Sequence, residues 1–484
     1  MRALAALALA GLVVLAGCGG VAGGPETGTA APTPTPSTTG SVTSAATEAG
    51  TATPTPSTTT TPTHGGFDDP AADRLGWEGG YWYDESLSVN ASDGLNGSER
   101  DAVVARTMAR VERIRGLEFE STVPVEVVSR EAYLADENVT ATAWDDVMWE
   151  ALLLVGEGES VEAVFESFYG ASVQGSYVPS EDRIVVVSDS SRPTIDRRTL
   201  AHELVHALQD QQFGTVFDGR RNLTRDERIA RRGLIEGDAG YVEDLYERQC
   251  REVGGGNWSC LPRPPSGPGA SLDDNMGVYV AAYQPYSDGP AFVHHLRQRG
   301  GWAAVNDAYA APPTSSAQVI HPDRYPEWSS SRVRVPDRSA ANWSRFDRSP
   351  PGTTVGEASL FAAVWANGGT ETFHLQRPSR PHRTYNYTHS TTAGWVGDRL
   401  VPYRNDTATG YVLRTEWATT GDAAEFAIAY RDLLRTRRGA ERREGNVLVV
   451  PAGPYADAYR VGRSGTTVTI VNAPTVDALD AVHR

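Results

Sequence analysis

At 484 residues the chain is long enough for a tether and two domains with cores of their own. It carries 61 Asp and Glu against 44 basic residues, all of them Arg, for a formal charge of −17. A lysine-free acidic surface excludes nucleic acid as a partner, because phosphate neutralisation needs a basic face; it suits a halophilic protein that stays hydrated in high salt.

The first 18 residues read as one signal peptide: Arg2, an apolar run from Ala3 to Ala16, then Leu15-Ala16-Gly17-Cys18. That run is too short to span a bilayer as a mature helix. The small residues before Cys18 resemble a lipobox, which implies a lipid on Cys18 and a membrane-anchored lipoprotein on the extracellular face. Residues 19–66 are rich in Thr, Ser and Pro, have no apolar period, and predict a disordered linker. Extended as polyproline II, the linker reaches on the order of 150 Å, and its composition suggests an O-glycosylated stalk. Eight Asn-x-Ser/Thr sequons, at Asn90, Asn96, Asn138, Asn222, Asn257, Asn342, Asn386 and Asn405, agree with a glycoprotein outside the cell.

From Phe67 the chain turns globular. Ser98 to Arg115 predicts an amphipathic helix with Ser98 as its cap, and Val123–Val128 a short strand. Asp145–Leu154 and Val161–Phe168 read as helices, Ser176–Ser188 as a hairpin, and the chain from Thr194 to about Ile320 as mainly helical. In that stretch Cys250 and Cys260 flank a Gly-rich loop; outside the membrane they form a disulfide or, in the alternative, two free thiols. A polar, Arg- and Ser-rich stretch closes a domain over 67–345. A smaller domain follows over 346–484, with a helix at Val355–Trp365, a strand at Gly410–Trp417 and a helix at Asp422–Leu434. Strands near Val447–Val450, Tyr459–Val461 and Thr466–Val471 and a short helix near Val476–Val482 complete it. The expected class is α+β: a mainly helical domain with a small sheet, then an α+β module. The module shows no ligand cluster in its sequence.

The chemistry lies in Thr199-Leu-Ala-His-Glu-Leu-Val-His-Ala-Leu-Gln-Asp. His202 and His206 are four apart, so on a helix both imidazoles leave one face and can share a tetrahedral Zn2+. Glu203 is rotated about a third of a turn from them, outside the ligand set but within reach of a metal-activated water. The bland alternative is chance: two polar residues on a helix face. Glu236, in Leu234-Ile-Glu-Gly-Asp-Ala-Gly-Tyr, is the best third ligand, and small Gly237, Ala239 and Gly240 permit close helix approach. Its rival Asp238 falls on the opposite side of a helix. Asp210 and Glu243 are candidates for the carboxylate behind a ligating His, but read as solvated surface acids. Tyr283, Tyr286, His294 and His321 are candidate oxyanion donors, with packing and capping roles as the alternative.

HExxH with a later helical Glu resembles the gluzincin metallopeptidases, the thermolysin-like clan. The resemblance implies zinc on His202, His206 and Glu236, Glu203 as general base, and a peptide or protein substrate. Gln at 209 and at 212 excludes the metzincin pattern. The hairpin before the motif sits where gluzincins dock an extended peptide. Beyond the motif, GLEFESTVPVEVVSREAY, TLAHELVHALQDQQF, EGDA, PPTSSAQVIHPDRY and GWVGDRLVPY resemble uncharacterised haloarchaeal surface lipoproteins. The competing function is a non-catalytic surface binding or adhesion protein whose HExxH site is degenerate or structural.

Overall fold

The structure, a computed structural model, describes residues 70–484 apart from 91, 137–139, 191, 215–222, 252–256, 264–274, 341, 371–373 and 379. The leader, Cys18, the linker, Asn138 and Asn222 lie outside the described residues. Asp69–Arg484 forms one compact unit.

A ribbon of β1 (Trp77–Glu78) and β2 (Tyr81–Trp82) precedes α1 (Gly97–Arg115). Asn96, not Ser98, caps α1: its side chain accepts from the Glu99 amide while the Glu99 carboxylate accepts from the Asn96 amide. The reciprocal pair satisfies two N-terminal donors, where Ser98 would satisfy neither from inside the first turn. Next come β3 (Val125–Val128), α2 (Arg130–Asp136), α3 (Ala143–Ala151) and α4 (Val161–Ser172). β4 (Gly175–Val178) and β5 (Arg183–Val187) form the hairpin, and β3 joins β5 in parallel, giving the order β3-β5-β4.

Four helices follow: α5 (Arg197–Phe213), α6 (Arg225–Gln249), α7 (Met276–Ala310, broken at Gly300–Gly301) and α8 (Ser316–Ile320). Cys250 caps α6 and is disulfide-bonded to Cys260, with Cα atoms 5.6 Å apart. Trp258, inside that loop, packs its ring on Tyr246, and the Arg110 guanidinium lies 4.8 Å from the Trp258 ring centre.

The last third is a seven-stranded antiparallel sheet. Its strands are β6 (Ser344–Arg345), β7 (Trp395–Arg404), β8 (Thr409–Trp417), β9 (Glu441–Arg442), β10 (Val447–Val449), β11 (Ala458–Ser464) and β12 (Thr467–Ala473). They run in the order β6-β7-β8-β12-β11-β10-β9. The accompanying helices are α9 (Gly356–Ala366), α10 (Ser390–Ala393), α11 (Thr420–Arg437) and α12 (Leu479–Val482). Alternation sorts the sheet's side chains: Tyr411 and Leu413 join the core under α11, while Val412 joins the one under α12.

Helices and sheet have cores of their own and share one more. One apolar cluster takes Trp144 and Val147 from α3, Val278 from α7, Phe361 from α9 and Ile470 from β12. That cluster crosses the expected boundary at 345. Among the described residues no helix is long and apolar enough to cross a membrane.

Candidate metal centre

The Asp196 side chain caps α5 by accepting from the Arg198 amide at 2.8 Å. Leu200, Ala201, Leu204 and Val205 are fully buried against α1 and the small sheet, which sinks the helix and carries its polar residues down with it. His202 and His206 face one way, their ring centres 4.8 Å apart. α6 runs antiparallel beside α5: Arg197 meets Glu247, Arg198 meets Glu243, and Gln209 meets Ile235. Glu236 is thereby placed between the two imidazoles. Its Oε2 stands 3.4 Å from Nε2 of each. His202, His206 and Glu236 form a three-donor group able to hold a metal ion.

Each imidazole is fixed from behind. His202 Nδ1 lies 3.2 Å from Glu243 Oε2, so this ring spans Glu236 and Glu243, which are two helical turns apart on one face of α6. Glu243 is thus no surface acid: it is 8% exposed and also pairs with Arg198. His206 Nδ1 lies 2.9 Å from Gln209 Oε1, and Gln209 Nε2 donates to Ile235 O at 3.0 Å. That second bond fixes which way the amide points, so His206 Nδ1 must donate, and its Nε2 is the ring nitrogen left to face Glu236. Asp210 reaches neither ring; it accepts from the Tyr177 hydroxyl at 3.0 Å. Glu243→Gln should weaken metal affinity by about 10- to 100-fold, read by chelator competition with the fold checked by circular dichroism.

Glu203 is fully buried. Its Oε2 accepts from the backbone amide of Tyr177 in β4 at 2.8 Å, while Oε1 has no hydrogen-bond partner among the described residues. β4 can come this close because residue 175 is Gly: a Cβ there would meet Thr199 Cγ2 at 2.7 Å. Burial pushes the Glu203 carboxyl up, against the pull of the two imidazoles. Burial opposes the His202 imidazolium too, but the adjoining carboxylates of Glu236 and Glu243 outweigh it and push that group up to about 10. At Glu236 the upward push of burial is outweighed by the two adjoining imidazoles and the Arg232 charge, which hold the carboxyl well below the usual range.

Of the four candidate donors, only Tyr286 reaches the centre, its hydroxyl donating to Glu236 Oε1 at 2.9 Å. Tyr283 is buried and stacks between Tyr279 and Tyr286. His294 bonds the Tyr241 hydroxyl, and His321 pairs with Glu357 at 2.8 Å. Asp238 faces away, in a buried ion pair with Arg115 at 3.0 Å. Gly237 and Gly240 serve the contact of α6 with α7, against Gly289 and Pro290, rather than its contact with α5. Trp395 and Asp398, from the segment Gly394–Leu400, act structurally: Asp398 accepts from the Val355 and Gly356 amides that open α9, and from Trp395 Nε1.

Residues 344–483 match a family model described as a domain of unknown function (DUF8575), so the match begins at β6 and leaves the candidate centre outside it. No curated protein and no solved structure matches the chain.

Proposed function

We propose that the chain is a surface lipoprotein with zinc-dependent peptidase activity, zinc being held by His202, His206 and Glu236. The observation that carries this reading is the placement of one Glu236 oxygen 3.4 Å from both Nε2 atoms. Donors about 2.0–2.1 Å from a tetrahedral zinc stand about 3.3–3.4 Å from each other. A charge-assisted N–H···O bond between the same groups would close to about 2.7–2.9 Å. The 3.4 Å spacing supports a ligand set round a shared ion over a direct hydrogen bond. Nitrogen donors also favour zinc over a hard cation.

Zinc, when bound, polarises a carbonyl and acidifies a water. The chain's own part is to receive and deliver the proton. Glu203 is the group for this, anchored through Oε2 and with Oε1 uncommitted. Tyr286 has a hydroxyl beside the ligand carboxylate, which can serve a developing oxyanion by exchanging its bond to Glu236 Oε1. The Tyr177 amide, which would have to pair with any peptide added to β4, is already engaged by Glu203. Strand addition there requires that bond to be exchanged.

Metal analysis is the direct test: about one zinc per chain in the wild type and none in His202→Ala. Because the carboxylates of Glu236 and Glu243 favour the protonated form of His202 in the metal-free site, zinc uptake displaces a proton. Apparent affinity should therefore fall about tenfold for each unit of acidification between pH 8 and 6. A folded wild type that takes up no zinc sinks the proposal. One observation favours the second reading, a binding or adhesion protein with a structural metal: His202, His206 and Glu236 are each 3% exposed or less. Zinc uptake with no cleavage of casein or of a peptide library would select it.

A further inference from the structure

A second group of metal-capable side chains joins the two halves of the chain. Glu150 is the penultimate residue of α3, Glu157 lies in the loop that follows, and Asp457 immediately precedes β11. Each offers an oxygen, all within 4.8 Å of one another. Glu150 and Asp457 are only 3% and 2% exposed, and Glu157 stands at the surface. Glu150 Oε1 and Asp457 Oδ1 are buried without a hydrogen-bond partner. The other Asp457 oxygen accepts from Asn472 Nδ2 at 2.7 Å, and Asn472 Oδ1, also buried, has no partner.

Two buried carboxylates with bare oxygens need a positive charge, a set of donors or a proton. Among the described residues no Arg or His forms an ion pair with any of the three. Arg438 stacks over Tyr455 at 4.3 Å and donates to Asn367. The backbone is nevertheless built to bring them together. The Glu157 amide donates to Pro454 O at 2.7 Å, and a Cβ on Gly156 would fall 2.3 Å from Pro454 Cβ. Leu153, at the start of the loop, takes the left-handed conformation with φ 56°.

We propose that Glu150, Glu157 and Asp457 bind one hard divalent cation of the calcium class, pinning the loop after α3 to the segment before β11. The donor set is all oxygen, which selects against zinc and for a hard ion. Three carboxylates from three segments make an adaptable all-protein oxygen cage, which suits calcium; magnesium demands near-ideal octahedral geometry and keeps most of its waters. Glu157 supplies the solvent-facing side by which the ion enters. The site is independent of the histidine centre. It ties the segment that matches the domain of unknown function to the helices before it.

The test uses the full chain, stripped with EDTA and held at constant high NaCl so that general screening stays fixed. Adding 1 mM CaCl2 should raise the thermal midpoint by several degrees, and 1 mM MgCl2 should raise it by less. The calcium shift should persist in His202→Ala, which disables the other centre, and disappear in Asp457→Asn and in Glu150→Gln. Tyr459 lies close to the three carboxylates, so Tb3+ bound there should show tyrosine-sensitised emission that CaCl2 displaces. This wild-type measurement stands even where a variant fails to fold. Absence of displaceable emission, or a calcium shift equal to that of magnesium and unchanged in both variants, would overturn the proposal. So would a Glu150→Gln chain at least as stable as the wild type in CaCl2, since that marks the carboxylates as sharing protons.

Discussion

Glu203→Gln should keep the zinc content of the wild type and lower kcat for peptide cleavage by on the order of 10²- to 10⁴-fold. The amide is close to isosteric with the carboxylate, so its oxygen can still accept the 2.8 Å bond from the Tyr177 amide, and α5 stays where it is. What disappears is the basic oxygen. Glu203 is also outside the donor group formed by His202, His206 and Glu236, so removing its charge takes no ligand away. His202→Ala behaves differently, losing zinc and activity together. The pair of variants separates proton transfer from metal binding. Zinc per chain and turnover of a fluorogenic peptide are measured on the same preparations. An unchanged kcat in Glu203→Gln removes the general-base role. A loss of zinc makes Glu203 a ligand and the site a closed, structural one.

The histidine centre was legible because its parts repeat at helical spacing. His202 and His206 are four apart on α5, and Glu236 sits on the next helix. Antiparallel packing across a short connection brings such residues face to face. What lay behind the ligands was harder to read. Glu243 is seven residues from Glu236, a spacing that returns it to the same face, yet an acidic residue on a surface-like helix gives no sign of the Arg198 and His202 that bury it. Gln209 is three residues past His206 and within reach of it on the helix. Its amide becomes informative only once Ile235 O is seen to fix its orientation.

The carboxylate group of Glu150, Glu157 and Asp457 was not legible at all, being assembled by tertiary contact between segments far apart in the chain. β7 was missed for a local reason. Gly397, Asp398 and Pro402 interrupt its pattern, and each is tolerated by its neighbours. The Leu400 amide donates outward to Thr353, so by alternation the missing N–H of Pro402 also falls on the side away from β8. Asp398 is buried because it caps α9.

Gly237→Ala should destabilise the protein by on the order of 3 kcal/mol and weaken zinc binding with it. At this point α6 and α7 touch backbone to backbone. A Cβ on residue 237 would lie 2.4 Å from Gly289 O and 2.5 Å from its carbonyl carbon, and one on Gly289 would lie 2.5 Å from Gly233 O. These are main-chain atoms, unable to rotate aside, so the helices must separate. Glu236 is the neighbouring residue, and its carboxylate is held on the α7 side by the Tyr286 hydroxyl. Moving the helices apart therefore pulls the third ligand away from the two histidines. Gly240→Ala is the control. Its Cβ would meet only Pro290 Cγ, at 3.1 Å, a contact the ring can ease. The gain of about 1 kcal/mol in helix propensity from Gly to Ala offsets that strain and leaves stability near the wild type. Denaturant unfolding at fixed high salt measures both. If Gly237→Ala proves as stable as Gly240→Ala, the two helices are not in backbone contact. The route by which α7 supports the metal centre would then fail with it.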